Sequence, residues 1–280
     1  MRTEGREKGK RGTVTTTRLL VLRSMVIALV GVGTVTCRGT LSPLSNRIAV
    51  GEEPFAVFVG DGEGGFGDLF AVGAGGGQVY QITFSRVDER NPALSPDGTL
   101  VAFLRSRTAD DSAHRDIVLL NLLNGAERRI ELPPGSVPDR RLGWAHDGRA
   151  VYVRTKGGLF RLGAPPADPA PAPVNSADSS LADSALAVVL GEPPFALAIE
   201  CGDGSGVCVV DRAGKSDRFD EEGLGPARWG SDSVGYFRGG DVLIRPLGAG
   251  TARILQWSRT PPHPRELTVF LPSKSASSEP

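Results

Sequence analysis

The chain has no net charge, three cysteines, three histidines and no long apolar run, and each shortage narrows what it is. Thirty-two Lys and Arg balance 32 Asp and Glu, so the basic footprint of a nucleic-acid partner is missing. The 37 glycines follow no three-residue period, which excludes a collagen-like chain. A membrane-spanning helix needs roughly 20 apolar residues; the apolar run Met25–Val35 (MVIALVGVGTV) has 11. Histidines His114, His146 and His263 are scattered, and the cysteines lack the paired spacing of a zinc site. What is present, 40% hydrophobic and 23% charged residues, is the composition of a folded globular chain.

The neutral total conceals unlike parts. Residues 1–23 hold seven basic and two acidic groups, a net of +5, so the remainder is net −5. This basic leader precedes the short run Met25–Val35, the layout of a secretory signal. A buried core helix is the competing reading, and Gly31 and Gly33 weaken it. No Arg-Arg pair in the leader supports a twin-arginine signal. Next comes Cys37 in the string GTVTC, which resembles the lipobox of bacterial lipoproteins. It departs from that pattern at Thr34 and Thr36, where the lipobox prefers Leu and a small Gly, Ala or Ser. The resemblance implies a lipidated Cys37 and a polar tether over residues 37–46; the alternative is ordinary cleavage and a soluble secreted chain. Cys201 and Cys208 flank a Gly/Asp/Ser turn between FALAIE and VVDR. That pattern reads as a β-hairpin placing the two cysteines on neighbouring strands. A disulfide suits an exported protein, with two buried thiols as the alternative.

Internal repeats set the expected fold. PALSPDGTLVAFLR (Pro92–Arg105), LGWAHDGRAVYVR (Leu142–Arg154) and ARWGSDSVGYFR (Ala227–Arg238) share strand, tight turn and strand, and IAVGEEPFAVFV (Ile48–Val59) matches VVLGEPPFALAI (Val188–Ile199). With Glu53, Asp97, Asp147, Glu192 and Asp232 as turn markers, successive spacings are 44, 50, 45 and 40 residues. Four-stranded propeller blades repeat at roughly this length. Outer hairpins follow in four of the five units. The third runs instead into APPADPAPAP (Ala164–Pro173), whose prolines supply no ladder donors; it is expected as a loop replacing or delaying an outer strand. No long segment has clean helical periodicity.

The string QITF followed by ERNPALSPDGTLVAFLR and DIVLLNLLNGAERRI resembles the six-bladed, TolB-like, WD-related propellers. Ser95-Pro96-Asp97-Gly98 match the family's inner turn fully, Ala145-His146-Asp147-Gly148 partly and Gly230-Ser231-Asp232-Ser233 weakly, and the likeness covers residues 47–259 in outline. It departs in blade number, since only five units are countable here. RELTVFLP (Arg265–Pro272) adds one strand, which either belongs to a ragged sixth blade with the N-terminus or closes a five-bladed ring. The fold class expected is therefore an all-β propeller of five to six four-stranded blades over residues 47–272, one blade irregular. A signal peptide (1–36) and tether precede it, and a disordered tail (273–280) follows.

Candidate chemistry is thin. Gly60–Gly65 (GDGEGG) satisfies G-x-G-x-x-G but precedes a strand, so the helix N-terminus that holds a dinucleotide is absent. Asp61, Glu63 and Asp68 are three carboxylates where calcium takes six to eight oxygens, and a hairpin loop with solvated charges is the preferred reading. Asp97, Asp147 and Asp232 are read as repeated turn residues that cap local N–H groups, and Trp144 and Trp229 as packing between blades, with sugar stacking secondary. His146 beside Asp147 lacks a nucleophile, and no G-x-S-x-G elbow is present. No catalytic residue, metal site or cofactor is assigned. The function expected is that of an exported, lipid-anchored, non-catalytic binding or scaffolding propeller of the bacterial cell envelope, in the periplasm or at the outer membrane, with protein partners. The TolB-like resemblance implies those partners. The alternative is a glycoside hydrolase or lyase with acids at the central channel, and a third reading is a structural remnant of a degenerating repeat array.

Overall fold

A computed structural model describes residues 43–272 except 168–169, 176–187, 190–194, 203–204, 212 and 231. The expectations placed on Cys37, on the leader, on the turn marker Glu192 and on the tail from residue 273 lie outside the described residues. Among those described, five four-stranded antiparallel sheets form the blades of a propeller. Blade 1 contains β1 (Phe55–Asp61), β2 (Gly67–Gly73) and β3 (Val79–Gln81). Blade 2 contains β4 (Glu89–Leu94), β5 (Leu100–Thr108), β6 (Asp111–Asn121) and β7 (Glu127–Ile130). Blade 3 contains β8 (Pro138–Trp144), β9 (Ala150–Thr155), β10 (Gly158–Gly163) and β11 (Ala172–Pro173). Blade 4 contains β12 (Val188–Val189), β13 (Phe195–Glu200), β14 (Val207–Asp211) and β15 (Ser216–Asp220), and blade 5 contains β16 (Leu224–Trp229), β17 (Ser233–Arg238), β18 (Asp241–Pro246) and β19 (Arg253–Ile254).

The remaining strand, β20 (Arg265–Phe270), pairs with β1 and supplies the innermost strand of blade 1. Among the described residues the ring is therefore five-bladed and closed by the C-terminal strand, which completes blade 1 and not a ragged sixth blade. The pairing Phe55↔Phe270 brings the two ring ends together and removes the free edge an open ring would leave. The proline-rich segment delays the outer strand of blade 3 without abolishing it. Ala172 and Pro173 pair with Arg161 and Phe160 at a sheet edge, where a missing N–H is tolerated.

Blades 1, 2 and 5 are packed on both faces, which explains why their middle strands read as short unbroken apolar runs. All of Phe55–Val59 is buried. Successive side chains of a strand point to opposite faces: Val57 and Val59 join Val101, Phe103 and Val118 of blade 2, while Ala56 and Phe58 join Ala227, Phe237 and Val242 of blade 5. Phe103 alone, wholly buried, contributes on the order of 2 kcal/mol.

Residues 43–46, expected within the tether, are docked on the ring. A 3-10 turn spans Leu44–Asn46, Leu44 is buried in the junction of blades 1 and 2, and the Ser45 amide donates to the Leu122 carbonyl at 3.2 Å. Cys201 and Cys208 form a disulfide with Cα atoms 5.1 Å apart, across the hairpin joining β13 to β14.

Candidate functional site at the channel mouth

Antiparallel order sorts the connections onto two faces. Turns joining the first to the second and the third to the fourth strand of each blade share one face, the turn face. Inner strands begin on the other, the mouth face, beside the hairpins between second and third strands. The repeated aspartates belong to the turn face and serve it locally. Asp97 accepts from the Thr99 amide at 3.1 Å and from the Ser95 hydroxyl at 2.5 Å, Asp147 accepts from the Arg149 amide at 2.9 Å, and Asp232 accepts from the Ser233 hydroxyl at 3.0 Å. Trp144 is a blade-to-blade strut: its Nε1 donates to the Ala93 carbonyl at 2.8 Å. Trp229 is buried in the junction of blades 5 and 1.

The mouth is built by a recurring irregularity. In β4 the register passes from Arg90↔Leu104 to Ala93↔Ala102, so Asn91 and Pro92 together face Phe103. In β16 Gly225 and Pro226 face Tyr236 in the same way, and in β20 Glu266 and Leu267 face Phe58. Each is a bulge of two residues against one, a device that bends a strand and re-aims its side chains. Each places its first residue in the left-handed region: Asn91 at φ 54, Gly225 at φ 59 and Glu266 at φ 56. Glycine adopts that conformation freely. A Cβ on Gly225 would also lie 3.0 Å from the Glu266 amide nitrogen, so the bulges of blades 5 and 1 touch.

Three non-glycine residues among those described have positive φ: Asn91, His263 and Glu266. All three stand at this mouth, where strain of about 1–3 kcal/mol each must be held by surrounding contacts. The Asn91 amide donates to Glu266 Oε2 at 2.6 Å, linking inner strands 175 residues apart in sequence. Arg90 reaches Asp88 at 3.3 Å and Glu266 at 3.8 Å. Asp88 also accepts from the Gly67 amide at 2.9 Å. Asp61, at the end of β1, pairs with His263 Nδ1 at 2.7 Å and with Arg265 Nη1 at 2.8 Å. Asp61, expected as a solvated loop charge, instead ties the GDGEGG hairpin to the closing strand.

Burial pushes the Asp61 carboxyl up, but hydrogen bonds from Arg265 and His263 outweigh it and hold the group below the usual carboxylate range. Burial likewise acts on Asp88 and is outweighed by the Gly67 amide and Arg90. Glu266 differs: burial dominates, and the Asn91 amide and three arginines do not offset it, so its carboxyl is raised. The three carboxylates weighed against a calcium site, Asp61, Glu63 and Asp68, are not gathered. Asp61 is engaged by His263 and Arg265, Asp68 accepts from Gln81 Nε2 at 3.0 Å and from the Ser85 amide at 2.8 Å, and Glu63 is exposed. Among the described residues no group of three or more His, Cys, Asp or Glu is placed to hold a metal.

Sequence reasoning missed Arg90, Asn91, Arg265 and Glu266. The nearest available signal was the polar start of two inner strands, Glu89-Arg90-Asn91 and Arg265-Glu266, each directly before a short, partly buried apolar stretch.

No family model matches the chain, and no curated protein matches it. Among solved structures the chain is similar to TolB from Acinetobacter baumannii, at 14% identity and TM-score 0.41, covering 78% of this chain and 56% of that one. It is similar to a chain of a nidogen/laminin complex at 10% identity and TM-score 0.49, covering 79% and 99%. It is also similar to a putative TolB from Agrobacterium tumefaciens at 12% identity and TM-score 0.42, covering 72% and 88%. This chain thus spans little more than half of the Acinetobacter protein. The likeness is one of fold, and the propeller assignment itself rests on the sheet order.

Proposed function

We propose that the protein is an exported, lipid-anchored, non-catalytic binding propeller of the bacterial cell envelope, and that the channel mouth is its recognition face. The observation that carries this reading is the meeting of the three left-handed non-glycine residues, Asn91 and Glu266 on inner strands and His263 just before β20, at one mouth of the ring. Such strain clusters where a ligand is received, and a rigid scaffold presenting shaped polar groups is suited to recognition. The Cys201–Cys208 disulfide supports an oxidising compartment, in keeping with the basic leader and Cys37.

In-cell crosslinking followed by affinity purification tests the reading on wild type, Cys37→Ser and Arg265→Ala. Wild type is expected to recover a defined envelope protein. Arg265→Ala loses it by opening the Asp61 contact, and Cys37→Ser loses it if anchoring is part of function. Failure of wild type to recover any defined protein overturns the reading.

A second reading, a glycoside hydrolase or lyase, is favoured by one specific observation. The His263 imidazole is 82% exposed while its Nδ1 is held by Asp61 at 2.7 Å, the posture of an oriented general base. Glycan turnover lost in His263→Ala would establish it.

A further inference from the structure

At the mouth, Nε of Arg90, of Arg115 and of Arg265 is buried with no hydrogen-bond partner. An unpaired buried N–H costs about 1–3 kcal/mol, so three of them call for a partner that the described residues do not supply. All three guanidinium groups act on one carboxylate, Glu266, which serves them poorly. Its Oε1 lies 3.8 Å from Arg90 Nη1, beyond hydrogen-bond reach, and its Oε2 is taken by the Asn91 amide. Its backbone is held at φ 56, a conformation unfavourable for a side chain of this size. The other acids of the mouth are committed elsewhere: Asp61 to His263 and to Arg265 Nη1, Asp88 to the Gly67 amide and to Arg90 Nη2, and Glu200 to the Gly225 amide at 3.3 Å.

We propose that the mouth is a carboxylate-receiving site, in which Glu266 is a built-in occupant that the carboxylate of a ligand displaces from the arginines. The planar N–H fork of arginine pairs with a carboxylate through two parallel bonds, which the Glu266 geometry does not achieve. Charge balance favours a carboxylate over a phosphate. Arg90, Arg115 and Arg265 already share the mouth with Asp61, Asp88, Glu200 and Glu266, so exchange of Glu266 for another monoanion adds no negative charge, whereas a dianion would. The burial that raises the Glu266 carboxyl assists the exchange, because it already disfavours the charged form that holds the arginines. The ligand carboxylate comes from a small organic acid or from a polypeptide C-terminus, which share this chemistry. The inference rests on the mouth being the recognition face.

The amide of Asn91 reports directly on the exchange, so its NMR signal in the full chain is followed during titration. The probes are N-acetylglycine, its amide N-acetylglycinamide, and trialanine with a free or an amidated C-terminus. The free acids are expected to move the Asn91 signal and the amides to leave it unmoved. Glu266→Gln keeps the side chain's size and removes its charge, and is expected to tighten acid binding about tenfold. Glu266→Gly, the residue that Gly225 already supplies in β16, changes affinity in the same direction, and Arg90→Gln abolishes it. Tighter binding of the free tripeptide than of N-acetylglycine identifies a polypeptide C-terminus; equal binding identifies a small acid. Equal shifts from acids and amides, or an unchanged affinity in Glu266→Gln, overturn the proposal. Recovery of the envelope partner by Arg90→Gln at wild-type level sinks this site alone. Acid binding without any recovered partner sinks the broader reading alone.

Discussion

Glu89 is wholly buried between blades 1 and 2. Its Oε2 accepts from the Thr83 hydroxyl at 2.5 Å, which itself accepts from the Leu69 amide at 2.7 Å, and its Oε1 accepts from Arg105 Nε at 2.9 Å. Arg105 is shared with Glu127 through two bonds of 2.6 and 2.7 Å. Burial is the larger influence, and with the nearby Asp68 charge it pushes the Glu89 carboxyl to about 7 against the pull of Arg105 and Thr83. The folded chain therefore keeps a proton that the unfolded chain releases near 4.5, so Glu89 makes stability fall as pH rises from about 4.5 to about 7 and level off above. Glu89→Gln is expected to remove a slope of up to about 1.4 kcal/mol per pH unit in that window. Urea unfolding at a series of pH values measures it, and an unaltered slope would refute the assignment.

At the scale of elements, the inner turn of blade 2 shows what sequence discloses and what it hides. Ser95-Pro96-Asp97-Gly98 is legible because its chemistry is local: the aspartate caps the next amides and Gly98 takes φ 71. A second demand on Gly98 was not legible. A Cβ there would stand 2.7 Å from the ring of Phe270, on a strand 172 positions away. Gly98→Ala is thus expected to cost more than its left-handed backbone alone, about 2–4 kcal/mol in all, read as a lowered thermal midpoint. The repeats announced the blades for the same local reason, and FAVFV and VAFL read as short apolar strands within them. The mouth stayed hidden because its contacts join Asp61 to His263 across 202 positions and Asn91 to Glu266 across 175. The bulges were hidden too, since a two-for-one register is visible only against the partner strand. Asn91-Pro92 and Gly225-Pro226 nevertheless share a residue that tolerates left-handed backbone followed by proline.

For the whole molecule, the decisive strand is the last. β20 joins Phe270 to Phe55 with ring centroids 5.5 Å apart and anchors the mouth through Arg265 and Glu266. Phe270→Ala is expected to cost about 3–5 kcal/mol, whereas Ile254→Ala on the exposed outer strand β19, half accessible to solvent, is expected to cost under about 0.5 kcal/mol. Equal losses in chemical unfolding would show that closure does not govern stability. The number of blades was undecidable from sequence for a related reason: RELTVF reads as a strand, but only its partner says which blade it completes. The closing pair Phe55↔Phe270 also sets the point where β1 begins beside the point where β20 ends, on the turn face. Entry and exit of the ring are thus adjacent, and the order in which blades follow one another is cyclic. A circular permutant that bridges these two points with a short peptide and opens the chain at the exposed turn Asn124-Gly125 keeps every strand pairing intact, so the propeller has a first blade only by convention.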